Sequence, residues 1–583
     1  MGTSFGEPAR VGFIPVDNRP ITCLWSFETL QSVNFKQDLD LRRVISGLWG
    51  RRLTLSYECL IERIRPLSLS HANMRPLIQE VGTTASPESL CEQLLGAGGL
   101  VLLRTALFDD PRARYSFVTA EPFLTFRSLG SRCELVSENG RQVQFGNPWR
   151  LLDVLMSRYE LLDEIDLPFP LGGCFGFWGY DLKNFVEPRL TRLAVNDLEL
   201  PDCQVGFYDS LVVFDHRLAK TWIVSIGLTE EGSRSATLAQ SKLIWWQEKL
   251  RAAASQSCDA GATMDVFTED LRITSNLSAD EFVRLVRRAQ EYIRAGDIYQ
   301  VNLSHRLKAT IGTIGPSFAS PRLSPPAHPL TPALSPRGKR ETQGAAWSCY
   351  RRLSDVSPAP FSAFLDCGDF QVISSSPELF LRLSGSHIQT RPIKGTRPRS
   401  NDPMRDAQLS YELQTSSKEM AELIMITDLL RNDLGKICSY GSVRVPELVR
   451  LERYPQVQHL VSTVEGELRT EVGHFAAFAS CFPGGSITGA PKIRAMEIID
   501  ELEPITRGPY TGSIGYLGFN RESQLNIAIR TAIALNDQLY FHSGAGIVAD
   551  SEPEAEYKET MAKAGGFIAA LSAQRDPAVK APV

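Results

Sequence analysis

The sequence lacks the features that mark several common classes of protein. Its 11 cysteines include no Cys-x-x-Cys pair, which argues against zinc ribbons and disulfide scaffolds. It contains no run of about 18 apolar residues, and residues 1–20 contain no hydrophobic segment typical of a signal peptide. The net charge of −5 provides no basic excess for binding nucleic acid. These absences predict a cytoplasmic protein that binds neither nucleic acid nor membranes.

The chain is long and apolar enough to form large cores. It has 583 residues, of which 43% are hydrophobic, so it can form more than one domain. Residues 1–73 contain no chemical motif, and we interpret them as an N-terminal extension, or as the product of a start codon assigned upstream of Met74. We expect an N-terminal domain over residues 74–262, a catalytic domain over 263–573 and a tail over 574–583.

Residues 312–346 interrupt the expected catalytic domain. Seven prolines lie between Pro316 and Pro336, so no periodic apolar pattern can form there. A structureless loop of this length is unusual inside a compact domain, and we interpret it as a disordered surface insertion. Outside it, the patterns predict helices over residues 278–295, 407–434 and 554–571, the first with a capping box at Ser278 and Glu281.

The stretch TRPIKGTRPR at residues 390–399 contains a lysine beside a glycine and several donors. Gly395 lets the backbone approach a ligand closely, and Thr396, Arg397 and Arg399 could bind a dicarboxylate. Taken alone, the stretch is as well explained by a solvent-exposed basic turn.

Three glutamates offer the oxygen ligands that Mg²⁺ prefers. Glu422 lies on the predicted helix 407–434, and Glu556 and Glu559 are spaced i, i+3 on the last helix. If the helices converge, the carboxylates form a magnesium site; otherwise they are surface glutamates.

For other polar residues, the sequence alone allows both a functional and a structural interpretation. The glycine-rich segment 484–489 precedes a predicted helix and could offer N–H groups to an anion, but it lacks the Lys-Ser/Thr of a Walker motif. His459 could be a catalyst or a core histidine, and Arg530 could bind a carboxylate or pair with a neighbouring acid.

Nine stretches carry a more specific signal when they are taken together. They are GDIYQVNLS (296–304), SPEL (376–379), PIKGTRPR (392–399), AELIMITDLLRNDLG (421–435), HLVS (459–462), FPGGSITGAPKIRAMEII (482–499), GPYTGSIGY (508–516), NIAIRTA (526–532) and GAGIVADSEPEAEYKET (544–560). From about Met74 onward, the chain resembles the chorismate-utilising enzymes, and most closely the component I branch of the aminodeoxychorismate synthases.

The resemblance implies a fold and a reaction. The fold is an α/β (α+β) sandwich, in which two facing antiparallel β-sheets carry helices on their outer sides. The enzyme would be a transferase that converts chorismate and ammonia to 4-amino-4-deoxychorismate, for para-aminobenzoate and folate biosynthesis. No Cys, His and Glu triad is recognisable here, so ammonia would come from glutamine through a partner amidotransferase subunit, component II.

The resemblance also assigns roles to individual residues. Lys394 would be the nucleophile that forms a covalent intermediate, and Glu378 the general acid. Glu422, Glu556 and Glu559 would hold Mg²⁺. The substrate-binding residues would be Thr396, His459, Gly489, Tyr510, Arg530 and Gly546.

Two positions separate the branches of the family. Lys394 is typical of the aminodeoxychorismate branch, whereas anthranilate synthase component I usually carries alanine there. Water-adding members have a general-base lysine where this chain has Gln300. The alternatives are anthranilate synthase component I, or an inactive chorismate-binding relative that would have lost the glutamates or the lysine.

Some family members bind tryptophan in a pocket of the N-terminal half. The residues that would line such a pocket here are Thr105, Tyr115, Ser116, Pro360, Phe361 and Ser362. Arg104 would lie unfavourably beside the ammonium group of tryptophan, which argues against this ligand.

Overall fold

The computed structural model describes residues 75–105, 114–161, 167–256, 272–311, 336–454 and 457–572, with only the backbone described for 336–342. These described residues all belong to one compact unit. The expected extension (1–73), the expected boundary near residue 262 and the tail (574–583) lie outside the described residues. No helix in the described ranges is both long and apolar enough to cross a membrane.

The described ranges contain helices and strands throughout. The α-helices are α1 Pro87–Leu94, α2 Pro148–Tyr159, α3 Lys183–Val186, α4 Ala236–Gln256, α5 Ala279–Ala295, α6 Pro336–Val356, α7 Pro403–Thr415, α8 Ser417–Gly435, α9 His474–Cys481, α10 Lys492–Leu502 and α11 Pro553–Leu571, with 3₁₀ turns at Tyr180–Leu182 and Gly485–Ile487.

The strands of the first half are β1 Leu77–Val81, β2 Val101–Arg104, β3 Tyr115–Thr119, β4 Leu124–Leu129, β5 Arg132–Ser137, β6 Gly140–Phe145, β7 Gly173–Trp178, β8 Cys203–Tyr208, β9 Ser210–Asp215, β10 Lys220–Ser225, β11 Ile273–Ser275 and β12 Gln300–Thr310. Those of the second half are β13 Phe361–Asp366, β14 Phe370–Ser376, β15 Leu379–Ser384, β16 His387–Arg391, β17 Ile393–Pro398, β18 Arg444–Arg453, β19 Val457–Glu467, β20 Gly489–Ala490, β21 Ser513–Gly518, β22 Glu522–Asn526, β23 Thr531–Leu535 and β24 Gln538–Ile547.

In the part of the chain that the structure describes, the strands form two twelve-stranded sheets. Sheet 1 has the order β1-β10-β9-β3-β2-β13-β14-β23-β24-β12-β11, and β20 pairs with β12. Sheet 2 has the order β17-β19-β16-β15-β22-β21-β7-β8-β4-β5-β6, and β18 pairs with β19. The ladders between neighbouring strands are antiparallel, which confirms the predicted fold class.

The inner faces of the two sheets pack against each other through large apolar side chains. Phe117 of sheet 1 meets Tyr516 of sheet 2 with ring centroids 5.2 Å apart, and both rings are buried. Helices cover the outer face of sheet 1, where Phe541 of β24 stacks on Phe567 of α11 at 4.9 Å. Burying a side chain of this size stabilises the fold by roughly 1.5–3 kcal/mol, so both layers contribute.

Both sheets combine strands from distant parts of the chain. In sheet 1, β2 pairs with β13, and in sheet 2, β7 pairs with β21. Segments separated by more than 250 residues therefore share one hydrogen-bonded layer and one core.

Two of the predicted helices are clear tests of local sequence signals. Helix α5 has the predicted capping box at Ser278 and Glu281, and it ends at Gly296 with a φ of 84°.

The single helix predicted over 407–434 is wrong, because the chain breaks between α7 and α8. At the break, the Ser416 hydroxyl accepts a hydrogen bond from the Glu419 N–H at 3.4 Å, so Ser416 caps α8 instead of extending α7.

The C-terminal limit of the predicted disordered insertion, residue 346, is also wrong. Helix α6 begins at Pro336, and Ala345, Ala346 and Trp347 are 3%, 0% and 5% exposed. Trp347 packs edge-on against Phe364 of β13, with centroids 5.1 Å apart. Proline is compatible with the first turn of a helix, so Pro336 could start α6 rather than prevent it. Residues 312–335 lie outside the described part.

Candidate active site

Lys394 lies on β17, at an irregularity in its pairing with β19. Lys394 pairs with Leu460 and Thr396 with His459, and the register shifts between them. Gly395 occupies this shift with a φ of 72°, and a Cβ there would lie 2.8 Å from a methyl carbon of Leu413. Only glycine fits both the left-handed conformation and the close packing, so Gly395 determines how Lys394 is presented.

The amino group of Lys394 faces residues from both sheets and from α8. Its Nζ lies 3.9 Å from Glu422 Oε2, with the two side chains 15% and 14% exposed. A Cβ on Gly546 of β24 would lie 3.7 Å from Lys394 Nζ and 2.5 Å from Gln300 Nε2. Gly546 therefore leaves room for both side chains, and the structure brings Lys394, Gln300 and Glu422 together.

Glu378 is the second candidate catalyst, and it lies between β14 and β15 with 5% of its surface exposed. Burial raises the pKa of its carboxyl to about 7, although hydrogen bonds from the Ser486 hydroxyl and the Ile393 N–H and the charge of Lys394 act in the opposite direction. A carboxyl with this pKa can carry a proton near neutral pH and can act as a general acid.

Sequence reasoning missed Ser486. It belongs to the glycine-rich segment 484–489, whose N–H groups were considered as a possible site for an anion. The structure places its hydroxyl against Glu378. The available signal was a hydroxyl-bearing residue in a glycine-rich turn that precedes a helix.

The three predicted metal ligands lie near one another but are not arranged around a common point. Burial raises the pKa of Glu422, and the carboxylates of Glu419 and Glu556 raise it further against the charges of Lys394 and Lys418. Glu556 accepts a 2.6 Å hydrogen bond from Ser551. Its pKa is raised by burial and by Glu559.

Glu559 is turned toward solvent. It is 53% exposed and pairs with Lys563 at 2.7 Å. Across the described ranges, no three acidic, histidine or cysteine side chains stand close enough to hold a metal as they are placed. The donor chemistry nevertheless fits Mg²⁺, because carboxylates that raise one another's pKa are stabilised by a shared cation.

Two of the predicted substrate-binding residues are hydrogen-bonded to each other. Thr396 Oγ1 lies 2.9 Å from His459 Nδ1, which is a consequence of their pairing between β17 and β19. Burial, with Arg530 nearby, lowers the pKa of His459 to about 4, so the imidazole is neutral. The pair can therefore offer a polar contact to a ligand without adding charge.

Arg530 provides a cation without a protein partner. It has a φ of 49°, immediately before β23. Burial lowers its pKa. Within the described ranges its guanidinium has no ion pair, which leaves five donors for an anionic ligand.

Tyr510 and Gly489 occupy tightly packed positions. Tyr510 is 7% exposed, burial raises its pKa, and its ring meets His542 edge-on at 5.1 Å. A Cβ on Gly489 would lie 2.1 Å from the carbonyl oxygen of Gln300, so this glycine is required by the approach of β20 to β12.

A buried ion pair beneath these residues was not found by sequence reasoning. Arg507 is 1% exposed and donates to Glu503 at 2.7 and 2.8 Å. It also donates to the carbonyl groups of Asn302 at 2.8 Å and Ile487 at 3.2 Å. Glu503 in turn accepts from the N–H and hydroxyl of Ser304 at 2.8 and 3.0 Å. The pair thus joins β12, the glycine-rich segment, α10 and the segment that carries Tyr510.

The sequence profile of one family, the chorismate binding enzymes, matches residues 104–320 and 333–569. This match includes every residue placed around Lys394. The chain belongs to the chorismate binding enzymes. Residues 321–332 are left unmatched, inside the predicted insertion.

Individual relatives of this chorismate binding enzyme have two different names. The chain is 37% identical over 473 residues to aminodeoxychorismate synthase component 1 of Escherichia coli, which covers 81% of this chain and 93% of that protein. It is 35% identical over 504 residues to anthranilate synthase component 1 of Acetivibrio thermocellus, covering 86% and 95%. The solved structure of anthranilate synthase component I from Streptococcus pneumoniae matches with a TM-score of 0.64 and 30% identity, covering 78% and 92%.

The residues of the predicted tryptophan pocket surround a separate cavity. Thr105, Tyr115, Pro360, Phe361 and Ser362 all line it. Ser116 does not: its hydroxyl binds the Thr105 N–H and lies 2.6 Å from His216 Nε2. Arg104, which also lines the cavity, forms a 2.5 Å ion pair with Glu88.

Proposed function

We propose that this chorismate binding enzyme is component I of an aminodeoxychorismate synthase, which replaces the C4 hydroxyl of chorismate with an amino group. The observation that carries the proposal is the position of Lys394, with its amino group beside Gln300 and 3.9 Å from Glu422. Lysine at this position is expected in the aminodeoxychorismate branch. Gln300 stands where water-adding members would have a basic lysine, so ammonia is a better second nucleophile than water.

The reaction proceeds by two displacements. The Lys394 amine forms a bond to ring C2, the two ring double bonds shift to C1=C6 and C4=C5, and the C4–O bond breaks. Glu378 donates a proton to the departing oxygen, which leaves as water. Ammonia then forms a bond to C4, the double bonds return, and the C2–N bond to Lys394 breaks, so that Lys394 leaves as a neutral amine. The ammonium group formed at C4 returns a proton to Glu378. Chorismate and ammonia thus become 4-amino-4-deoxychorismate and water, with Lys394 regenerated.

Cationic and neutral donors hold the two carboxylates of chorismate in this proposal. The free guanidinium of Arg530, the hydroxyl of Tyr510 and the backbone at Gly546 bind the enolpyruvyl carboxylate. Glu422, Glu556 and Glu559 would hold Mg²⁺, which would neutralise the ring carboxylate. Glu559 must leave Lys563 to do so. Thr396 and His459 orient a ligand oxygen, and Gly489 keeps the glycine-rich segment close to β12.

Ammonia comes from a partner in this proposal. The described cysteines are buried or partly buried, and burial raises the pKa of those nearest the core, such as Cys174 and Cys203, which makes them poor nucleophiles. A glutamine amidotransferase subunit would therefore supply ammonia, and dissolved ammonium should replace it.

Product identification tests the proposal directly. Purified protein is incubated with chorismate, Mg²⁺ and ammonium chloride, and the products are separated and identified by mass spectrometry. A product that keeps the enolpyruvyl group and gains one nitrogen supports the proposal. Anthranilate with pyruvate would instead identify an anthranilate synthase component I, the alternative favoured by the relative at 35% identity. Unconsumed chorismate would indicate an inactive relative.

A further inference from the structure

A small cavity lies behind Tyr510, on the inner face of sheet 1. Its floor and walls include Arg306 of β12, Thr531 and Ile533 of β23, and Tyr540 and His542 of β24. Leu198, Arg507 and Tyr510 also line it. The free space is about 10 Å³, which is enough for one molecule the size of water. We call it the Tyr510 cavity.

His542 faces this cavity without a hydrogen-bond partner. The residue is 9% exposed, and its Nδ1 is buried with no partner in the described part of the chain. Buried polar atoms are nearly always paired, so an unpaired nitrogen in a residue that lines this cavity points to a small polar ligand there. Burial holds the pKa of His542 well below its usual range, helped by Arg306, Arg507 and His305, so the ring is neutral and keeps a lone pair.

Two further unpaired acceptors continue from His542 toward Lys394. They are Asn302 Oδ1 and Gln300 Oε1, both buried without a partner in the described residues. Strands β12 and β24 pair Arg306 with His542 and Asn302 with Gly546. Because alternate residues of a strand share one face, Gln300, Asn302 and Arg306 lie on the same face as His542 and Gly546. A row of acceptors therefore leads from the Tyr510 cavity to Gly546, beside Lys394.

The charged groups that line the cavity are already paired, which favours a neutral ligand. Arg306 and Arg507 both line it, and Arg507 is 1% exposed. Each guanidinium is paired with a carboxylate, Arg306 with Asp197 and Arg507 with Glu503, so no unpaired charge remains to compensate a buried ion. Burying an ion without such compensation is costly, so the lining suits neutral ammonia better than ammonium. Ammonia that donates its hydrogens to ring and amide acceptors keeps its nitrogen lone pair free, and this lone pair is what must attack C4.

One residue of the cavity lining, Arg306, pairs with a partly exposed carboxylate. Arg306 forms a two-pronged pair with Asp197 at 2.9 and 2.5 Å, and the Asp197 side chain is 39% exposed. The Arg306–Asp197 pair therefore connects the cavity lining to the protein surface.

From this geometry we propose that the Tyr510 cavity is the ammonia site of the enzyme, from which ammonia passes behind Tyr510 to the ring. This inference rests on the proposed function, because it requires ammonia to be a substrate. The entrance lies at the Arg306–Asp197 pair, and the acceptors are His542, Asn302 and Gln300.

The test separates the ammonia step from the earlier chemistry. His542→Phe removes the acceptor, and Leu198→Trp fills the cavity from its other wall. For both variants we expect the apparent KM for ammonium chloride to rise by roughly fivefold to tenfold, as for loss of a hydrogen bond. The KM for chorismate and the rate of the Lys394 adduct, measured by mass spectrometry without ammonium, should stay within about twofold of the wild type, because neither needs the cavity.

Controls distinguish this inference from its alternatives. His542→Gln keeps an acceptor and should restore most of the ammonium KM, and His387→Phe alters a histidine that is 40% exposed on sheet 2 and should have no effect. An unchanged ammonium KM in His542→Phe and Leu198→Trp would identify the cavity as a structural water site and overturn the inference. Parallel loss of adduct formation would also overturn it. A wild-type enzyme that forms no aminated product would instead refute the proposed function.

Discussion

Lys394 Nζ lies 3.9 Å from Glu422 Oε2, so the proposed nucleophile and a proposed metal ligand form one ion pair across β17 and α8. Both side chains are largely enclosed, at 15% and 14% exposed, so solvent screens the pair only weakly. A change to either residue should therefore affect both the covalent step and the metal site.

Lys394→Ala tests the covalent step. With chorismate and no ammonia, the wild type should accumulate an adduct on the peptide containing Lys394, and the variant should not. Formation of 4-amino-4-deoxychorismate should fall by roughly 10²-fold or more, because the covalent route is lost. Lys220→Ala, which alters a lysine that is 44% exposed on β10, is the matched control and should behave as wild type. A Lys394→Ala variant with an unchanged rate would exclude lysine catalysis.

Removal of the metal should stop turnover. Activity should disappear in excess EDTA and return when Mg²⁺ is added. Glu422→Gln should need at least tenfold more Mg²⁺ for half-maximal activity, because one anionic ligand is lost.

The control for the metal experiment is Glu554→Gln. This residue is on the same helix as Glu556 and Glu559, but it is 63% exposed and pairs with Arg287 at 2.9 Å. Its Mg²⁺ requirement should not change. Full activity of the wild type in excess EDTA would remove the metal from the mechanism.

The pH dependence of turnover should report Glu378. Its pKa is raised to about 7 by burial, so the protonated acid is lost as pH rises through about 7. We expect kcat to fall about tenfold per pH unit above that point. In Glu378→Gln, kcat should be much lower and should no longer fall with rising pH in this range. If kcat of the variant still fell with rising pH, the titrating group would be a residue other than Glu378.

Glu378 also predicts a pH dependence of stability with a defined sign. Its folded pKa of about 7 exceeds the ordinary value of 4.5, so the folded state binds more protons between these values. The contribution to the free energy of unfolding is fully present below 4.5 and is lost as pH rises through about 7. Thermal unfolding of Glu378→Gln should therefore depend less on pH in this window than that of the wild type.

Local signals in the sequence predicted much of the fold. The helix over 278–295 and its capping box at Ser278 and Glu281 needed only neighbouring residues, and both are confirmed. The break at Ser416 was missed because helix periodicity continues across it and only the cap reveals it. Helix α6 was missed in part because prolines mask the apolar residues that pack after Gln343.

Contacts within the site were harder to predict. The family resemblance identified Lys394 and Gln300 as residues of the site. That both side chains lie beside Gly546 depends on the pairing of β12 with β24 and on the approach of sheet 2. No local pattern encodes such distances. Glu559 pairs with Lys563 on its own helix, whereas the predicted metal site would need it to turn toward Glu422 and Glu556. The spacing of these residues in the sequence does not decide between the two arrangements.

The insertion should be dispensable only over part of its length. Deleting residues 321–332, which the family profile leaves unmatched, should shift the Tm little and preserve activity. Deleting 314–344 should lower the Tm, because it truncates α6 and removes Gln343, whose Nε2 donates to Asp366 at 3.1 Å. Equal Tm values for the two deletions, measured by calorimetry, would contradict this distinction.

The buried pair of Arg507 and Glu503 should combine a stabilising role with a role in chorismate binding. Arg507→Met leaves the Glu503 carboxylate buried without its partner, and we expect a loss of about 3–5 kcal/mol in the free energy of unfolding. The exposed pair of Arg288 and Glu291, at 50% and 55% exposed, is the control, and Arg288→Met should leave the free energy of unfolding close to that of the wild type.

The double variant Arg507→Met/Glu503→Leu separates the two roles. Replacing both members of a buried pair with apolar residues is often close to neutral for stability. Because the Ser304 N–H and hydroxyl lose Glu503 as their acceptor, the double variant should recover only part of the lost free energy. It cannot recover the hydrogen bonds from Arg507 to the carbonyl groups of Asn302 and Ile487, which join β12 to the glycine-rich segment. We therefore expect the KM for chorismate to stay raised by tenfold or more, while urea denaturation shows a higher stability than that of Arg507→Met. If recovered stability also brought back the wild-type KM, the pair would serve the fold alone, and the position of Tyr510 would not depend on it.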